Sequence, residues 1–458
     1  MAETKAAASE DISKFGYKQE LKRQLQLRDV VLYGVLFMVI IAPQSIYGEV
    51  QIASGGMTPL VYIVGFVAIS FTAFAYYHMS KEFPIAGSVY SYVQRGINPH
   101  VGFVAGWLIL LDYLFVPALL LCMVANWGVA LIPGSPWYVW VIVFVAFNAF
   151  ANIRGMSLQK GVDWILFVLE ILTVIVFIAL GTKFILGGGG AGAFTMDPIY
   201  QPGKVDAHFI ASAVSLACLS FLGFDGMSTL AEETYQPEKT IGKGILIALC
   251  IMVVVFVAQT YIAALIIPDI ADVDPEMGFF NAAMAAGGPI MYKALLVINI
   301  VAIGIANIMN AQTASARLLY SMGRDGVLPR FLGKVHPKYA TPYMASIVLA
   351  IFGLALPFLG MSMLARFVNF GALSSFVLLN VAVFWYFWVK KGERGPAAVL
   401  KFIVCPAIGI FILAYVFTGF DVPTYLVGGI WLVVGLVIGF VKSKGYKEVP
   451  EAFKNLEV

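Results

Sequence analysis

The sequence predicts an all-α integral membrane protein of twelve spanning helices, and three observations carry the prediction. The chain of 458 residues is 60% hydrophobic and only 12% charged, with a mean hydropathy of +0.88. A soluble domain of that composition would lack the polar surface to cover its core. The apolar residues fall in runs of about 20, the length of a helix that crosses the hydrocarbon layer, whereas a spanning strand would need only about half as many. Finally, the 29 Lys and Arg residues sort onto alternate connections, as the retention of basic loops in the cytoplasm requires.

Taken in order, residues 1–29 form a polar cytoplasmic tail with no signal-peptide core. Spans then fall at roughly 30–54, 58–80, 101–131, 136–153, 161–186, 207–231, 241–268, 290–316, 342–358, 363–389, 399–418 and 422–441. Residues 30–389 form the core, in two groups of five helices (30–186 and 207–389). Helices eleven and twelve (399–441) are accessory, and 442–458 is a second cytoplasmic tail. With both termini inside, only Lys183, Lys204, Lys293 and Arg366 lie outside, and the other 25 of the 29 basic residues lie inside. A wrong span count would mix the two sets. The outer connection after span seven is acidic (Asp269, Asp272, Asp274 and Glu276).

Span one carries Pro43 and Gly48, and span six carries Gly223 and Gly226. Proline removes a donor and clashes with the preceding turn, and glycine adds backbone freedom. The two interruptions sit five spans apart, at matching places in the two groups, which points to a carrier built from inverted repeats with its site at the breaks. The backbone groups freed there must be satisfied by a ligand, an ion or water. Against this stands ordinary kinking, common in membrane helices.

Four acids, Glu49, Asp112, Glu170 and Asp225, lie inside otherwise apolar spans, and no Lys or Arg lies comparably deep. A charge there is costly unless it meets a partner or a wet cavity, so each is a functional candidate. Each also has a structural reading. Asp225 is a good cap for a second half-helix, and Glu49 meets the positive end of one. Asp112 and Glu170 could bond neighbouring helices. Ser45 and Ser220 are small polar donors at the breaks, and Tyr47, Phe221 and Phe224 are aromatics able to face an ammonium. Thr313 and Ser315 in span eight could offer oxygens to an ion or bond their own helix. Glu232 and Glu233, at the inner end of span six, read as a gate or as salt-bridge partners.

Other classes are excluded by what is missing. Cys122, Cys218, Cys250 and Cys405 all fall in apolar spans, and the four histidines are scattered, so neither a disulfide framework nor a metal site is expected. A net charge of +3 does not suggest nucleic acid. The run Gly187–Gly190 lacks the Lys-Ser/Thr of a phosphate loop. No cofactor is expected, and no activated Ser, Cys or His motif supports an enzyme. A channel would need a continuous polar lining, but the spans hold isolated acids.

Three segments then resemble the amino acid–polyamine–organocation transporter superfamily. They are Glu82-Phe83-Pro84-Ile85-Ala86-Gly87-Ser88, Ser220–Asp225 running to Glu232-Glu233-Thr234, and Arg317–Pro329 followed by His336-Pro337-Lys338. The resemblance extends from about Leu27 to Lys401. Ile97–Phe103, Gly106-Trp107, Leu110–Phe115 and Asn369–Leu373 resemble the bacterial putrescine importer-like branch most closely. It implies a LeuT-like fold, 5+5 inverted repeats with discontinuous helices one and six. It also implies a substrate site at Ala42, Gln44, Ser45, Ile46, Tyr47, Gly48 and Glu49 with Ser220, Phe221, Phe224 and Asp225. Asp112, Glu170, Asp225, Thr313 and Ser315 would serve coupling or gating.

Two departures stand out. Amino acid carriers of the superfamily place a Gly-Ser-Gly-like run where this chain has Ala42-Pro43-Gln44, and Pro43 has no N–H for a carboxylate. Putrescine importers place an Asp where this chain has Gly48; Glu49 is one residue on, turned by about 100° on a helix. Many proton-coupled relatives place a Lys near Glu170. The expected function is secondary active import of a small amine-bearing solute, a polyamine, another organic amine or an amino acid. It would occur by alternating access in the cell membrane and be driven by protons. An exchanger and a sodium-coupled amino acid symporter are the alternatives, and the oligomeric state is unassigned.

Overall fold

The structure, a computed structural model, describes residues 12–205, 218 and 220–448. The expected start of span six (207–217) and the outer parts of both tails (1–11 and 449–458) lie outside the described residues. Helices α1 (Leu27–Phe37) and α2 (Ala42–Ala53) form one bent pair. They are followed by α3 (Thr58–Glu82), α4 (Ser88–Gly96), α5 (Pro99–Leu131), α6 (Trp137–Arg154), α7 (Met156–Leu186) and α8 (Pro237–Ile266). Then come α9 (Gly278–Arg324), α10 (Tyr343–Ala355), α11 (Met361–Lys390), α12 (Pro396–Phe417) and α13 (Val422–Lys442).

Among the described residues, 9 helices are long and apolar enough to cross a membrane, or 10 when the bent pair counts as one. The stretch expected as span nine is a shorter apolar helix, Tyr343–Leu359. The described chain is helical apart from loops and one isolated bridge, Leu25 to Thr234. Helix α5 runs through the middle, packed along α11, α4 and α9, while α3 lies along α8. Gly371 of α11 permits the α5 contact, since a Cβ there would stand 2.6 Å from the Leu108 carbonyl.

The interruption in span one lies a turn earlier than the sequence suggests. The helix stops at Phe37 and resumes at Ala42 with a bend of 44°. Pro43 sits in the first turn of α2, where its missing N–H has no helical partner to lose. Its ring would clash with the carbonyl four residues back, so the chain unwinds across 38–41, and Val39 adopts φ 65°. Gly48 lies inside α2 and serves a close approach instead: a Cβ there would meet the Asp274 carbonyl oxygen at 2.0 Å.

Span six breaks where the glycines predict. Helix runs to Phe221, turns at Leu222–Gly223 with Gly223 at φ +107°, and continues as a 3₁₀ segment, Phe224–Glu233. Ten residues is long for that geometry, which rarely exceeds about four and often marks a functional hinge. The two breaks touch. A Cβ on Gly223 would meet the Phe37 ring at 3.0 Å, and one on Gly226 would meet it at 2.2 Å.

Residues 12–26 are not a loose tail but a strap across one face. Arg95 Nη2 donates to the Phe15 carbonyl (2.9 Å), Tyr17 to Asp325 (3.0 Å) and Gln19 to the Glu232 carbonyl (2.8 Å). Leu25 N–H donates to the Glu233 carbonyl (3.0 Å), and the Arg324 guanidinium lies 3.8 Å over the Tyr17 ring. The Tyr17 hydroxyl titrates well above its ordinary range, chiefly through burial and then through the neighbouring Asp325 carboxyl.

Candidate functional site

Asp225, just past the Gly223 turn, is buried; its Oδ2 accepts the Tyr113 hydroxyl at 2.6 Å, and Oδ1 completes no hydrogen bond although the backbone of Gly223, Asp225 and Gly226 lies against the carboxyl. Asp112 is buried close by and interacts electrostatically with Asp225; its Oδ1 is likewise unmet. Tyr76 and Ser88 share a hydrogen bond of 3.1 Å at the edge of this cluster, and Phe224 packs against the Tyr76 and Phe376 rings. Ser315 donates to the Tyr113 and Ala311 carbonyls, tying α9 to α5 beside the cluster. Ser220 shares a 3.1 Å hydrogen bond with Tyr62, whose ring also meets Phe221.

A second group holds the first break. Gln44 Nε2 donates to Gln259 Oε1 (3.1 Å), Asn299 Nδ2 donates to Gln44 Oε1 (2.8 Å), and Gln259 Nε2 donates to the Ile40 carbonyl (2.9 Å). Both the nitrogen and the oxygen of the Gln44 amide are thus bonded to protein. The Ile40 carbonyl freed at the break is met by a side chain rather than by a ligand, an ion or water. Glu170 is fully buried against the Ile40 backbone, with neither carboxylate oxygen in a formed hydrogen bond.

The third group faces outward. Ser45, Ile46 and Glu49 line a cavity of 690 Å³ with Trp127, Glu276 and Asn369. Glu49 is exposed there, Ala42, at the start of α2, is half-buried, and Tyr47 is buried against Phe279. Arg366 and Asp421 pair at 2.7 Å on the rim. Glu49 therefore lines an open cavity, whereas Asp225 is packed within the interior.

Thr313 belongs to a buried polar network that the sequence reading missed. Its hydroxyl donates to Asn152 (2.5 Å) and Gln159 (3.1 Å), Gln159 also bonds Asn310, and Asn310 donates to Asp163 (3.3 Å). Asp163 sits near the predicted start of span five, beside Lys160, where it reads as an interfacial charge. Tyr113 and Ser88 lie inside motifs quoted for the family and were passed over as unremarkable polar residues. Lone amides such as Gln259 and Asn299 in apolar spans carry the same signal as lone acids, in weaker form.

Arg317, the first residue past the predicted span eight, belongs to helix α9. Arg317 is buried in α9, donating to Glu233 and to the Thr313 carbonyl (2.9 Å). Helical pitch carries it inward, and the buried carboxylate compensates its charge. Glu232 takes both a fork from Arg324 (3.0 and 3.1 Å) and the Ala86 N–H (3.1 Å), so both glutamates are ion-pair partners. Among the described residues, Asp112, Glu170 and Asp225 form no ion pair.

Apolar helices long enough to cross a membrane, broken around buried acids, define a multi-pass membrane carrier. The chain belongs to the amino acid permease family, whose model matches residues 31–453. It is 31% identical over 441 residues to the low-affinity putrescine importer PlaP of Escherichia coli K12, covering 94% of this chain and 96% of that one. It is 26% identical over 463 residues to the branched-chain amino acid permease BcaP of Bacillus subtilis (94% and 95%), and 26% identical over 465 residues to the methylthioribose transporter of Bacillus subtilis (95% and 96%). The protein is a transporter and not an enzyme.

Proposed function

We propose that this protein is a secondary active transporter that imports a small cationic amine, with protons as the coupling ion. The observation that carries the reading is Asp225, buried at the junction of the two breaks with one oxygen unmet, beside Asp112 and without a basic partner. Two carboxyls in a low-dielectric chamber favour a cation over an anion. Tyr113 holds Asp225 in place, and the faces of Phe224 and Tyr76 offer cation–π contact. The name of the putrescine importer fits that charge, whereas a branched-chain amino acid also needs carboxylate donors, of which Pro43 supplies none.

On this reading spans one to ten form a LeuT-like pair of five-helix inverted repeats, helices eleven and twelve are accessory, and both termini lie in the cytoplasm. The 690 Å³ cavity is then the external vestibule, where Glu49 and Glu276 attract cations. The strap and the Glu232–Arg324 and Glu233–Arg317 pairs close the opposite side. Alternating access reverses this arrangement. Glu170, against the first break, is the candidate proton carrier.

The test is uptake into proteoliposomes of labelled diamines, monoamines and amino acids, under imposed pH or sodium gradients. Saturable diamine uptake driven by a pH gradient is expected. Uptake confined to neutral amino acids, or driven by sodium alone, would reject the assignment. Asp225→Asn and Glu170→Gln transporting like the parent would reject the residue roles.

A further inference from the structure

On the face that carries the strap, a cavity of 560 Å³ opens between the start of α5, the loop after α9 and the end of α13. Four basic side chains line it, His100, Arg324, Arg330 and Lys442, with one acid, Asp325, and Arg330 has a further interaction of its own. That acid is already occupied: its Oδ1 accepts the Tyr17 hydroxyl at 3.0 Å and its Oδ2 the Tyr90 hydroxyl at 2.7 Å. Arg324 forks onto Glu232, while its Nε is buried, 4.0 Å from Asp325, with no hydrogen-bond partner. Lys442 gives a single bond to protein, to the Val327 carbonyl at 2.7 Å, and an ammonium has three donors. Pro99, the first residue of the 33-residue helix α5, also lines the cavity, so the positive end of that helix adds to the field.

The cavity also has an apolar side. Phe103, Val327 and Gly439 line it, and Tyr446 folds back over it to meet the His100 ring at 5.4 Å. Within the last turns of α13, next to Lys442, Val437, Phe440 and Val441 are 56%, 56% and 68% exposed. A spanning helix turns such residues to lipid tails, so α13 places Lys442 where hydrocarbon meets water.

We infer that this cavity is a seat for the phosphate of an anionic phospholipid, its acyl chains lying along α13. Basic pockets between helices at the cytoplasmic border hold acidic headgroups in this way. A soluble phosphate would meet the same cations but would leave the apolar wall unused. The inference rests on α13 spanning the membrane and is independent of the transported solute.

Native mass spectrometry of the full chain, mixed in detergent with phosphatidylglycerol or phosphatidylcholine, tests it. Phosphatidylglycerol should stay bound about tenfold better, and the double variant Arg330→Gln/Lys442→Gln should abolish that preference, as expected for two cations at the surface. The charge-keeping exchange Arg330→Lys/Lys442→Arg should retain it. Equal retention of the two lipids, or an unchanged preference in the Gln variant, overturns the inference. Displacement of phosphatidylglycerol by millimolar inorganic phosphate also overturns it, in favour of a soluble anion. Should the Gln variant fail to fold, photoactivatable phosphatidylglycerol on the unsubstituted protein decides: label must appear on the peptides carrying Phe103 and Tyr446, and label only elsewhere rejects the seat.

Discussion

Two sets of buried carboxyls lie within one molecule and are treated in opposite ways. Glu232 and Glu233, at the end of the 3₁₀ segment, each hold an arginine. Asp225, at the start of the same segment, and Asp112 and Glu170 nearby hold none. The first pair fastens α9 and the strap to the end of span six. The second set leaves oxygens unmet in the interior, a state that stability alone does not favour. One 3₁₀ segment thus joins an anchored end to an unpaired one, and the contrast separates carboxyls that hold the fold from carboxyls that, on the proposed reading, receive a cation.

The largest effect should come from the anchored end. Arg317→Met strands the Glu233 charge and should cost about 3–5 kcal/mol, whereas Arg317→Met/Glu233→Met should recover most of it. Thermal melting in detergent reads both, and equal losses in the single and double variants would erase the distinction. At the unpaired end, Asp225→Asn should leave melting unchanged while lowering kcat/KM for a diamine about 100-fold, close to 3 kcal/mol. A third variant probes the break. Gln44→Leu removes the partner of Gln259 Oε1 and one acceptor of Asn299 Nδ2 and should lower stability by about 1–3 kcal/mol, with faster hydrogen exchange across 38–41 as the specific sign.

The smallest effect belongs to the rim. The Thr424 hydroxyl and the Arg366 guanidinium hold the Asp421 carboxyl down at about 2, below the usual aspartate value of 3.8. A lowered carboxylate contributes stability that is complete above its unfolded value and fades as pH falls through the folded one. The pair is half-exposed, so Asp421→Asn should shift melting by less than about 1 kcal/mol at pH 7 and by still less near pH 2.

Composition and run length made the helical membrane class legible, and the paired glycine and proline signals marked both breaks. The position of the first break was misplaced by a turn because proline acts backwards: Pro43 disrupts the residues before it and starts α2 cleanly. Four deep acids were readable as anomalies, but their surroundings were not. Sequence spacing cannot tell that Glu49 lines an open cavity while Asp225 is buried against Tyr113, since that depends on which neighbouring helix each faces. Arg317 was assigned to a loop because its position near a helix end hides its burial. Asp163 was hidden by Lys160 three residues earlier, although that lysine turns instead to Asp29 (2.9 Å).

The amide chain from Asn299 through Gln44 and Gln259 to the Ile40 carbonyl has a last consequence. A carrier that leaves its cargo on one side must travel back with nothing aboard. If the unwound turn relied on the passenger to occupy its bare oxygen, the vacant form would be the strained one and the homeward trip the slow step. Here the protein brings its own stand-in for that oxygen, so that on the proposed reading the vacant form rests easily and the passenger meets acids rather than mending a helix.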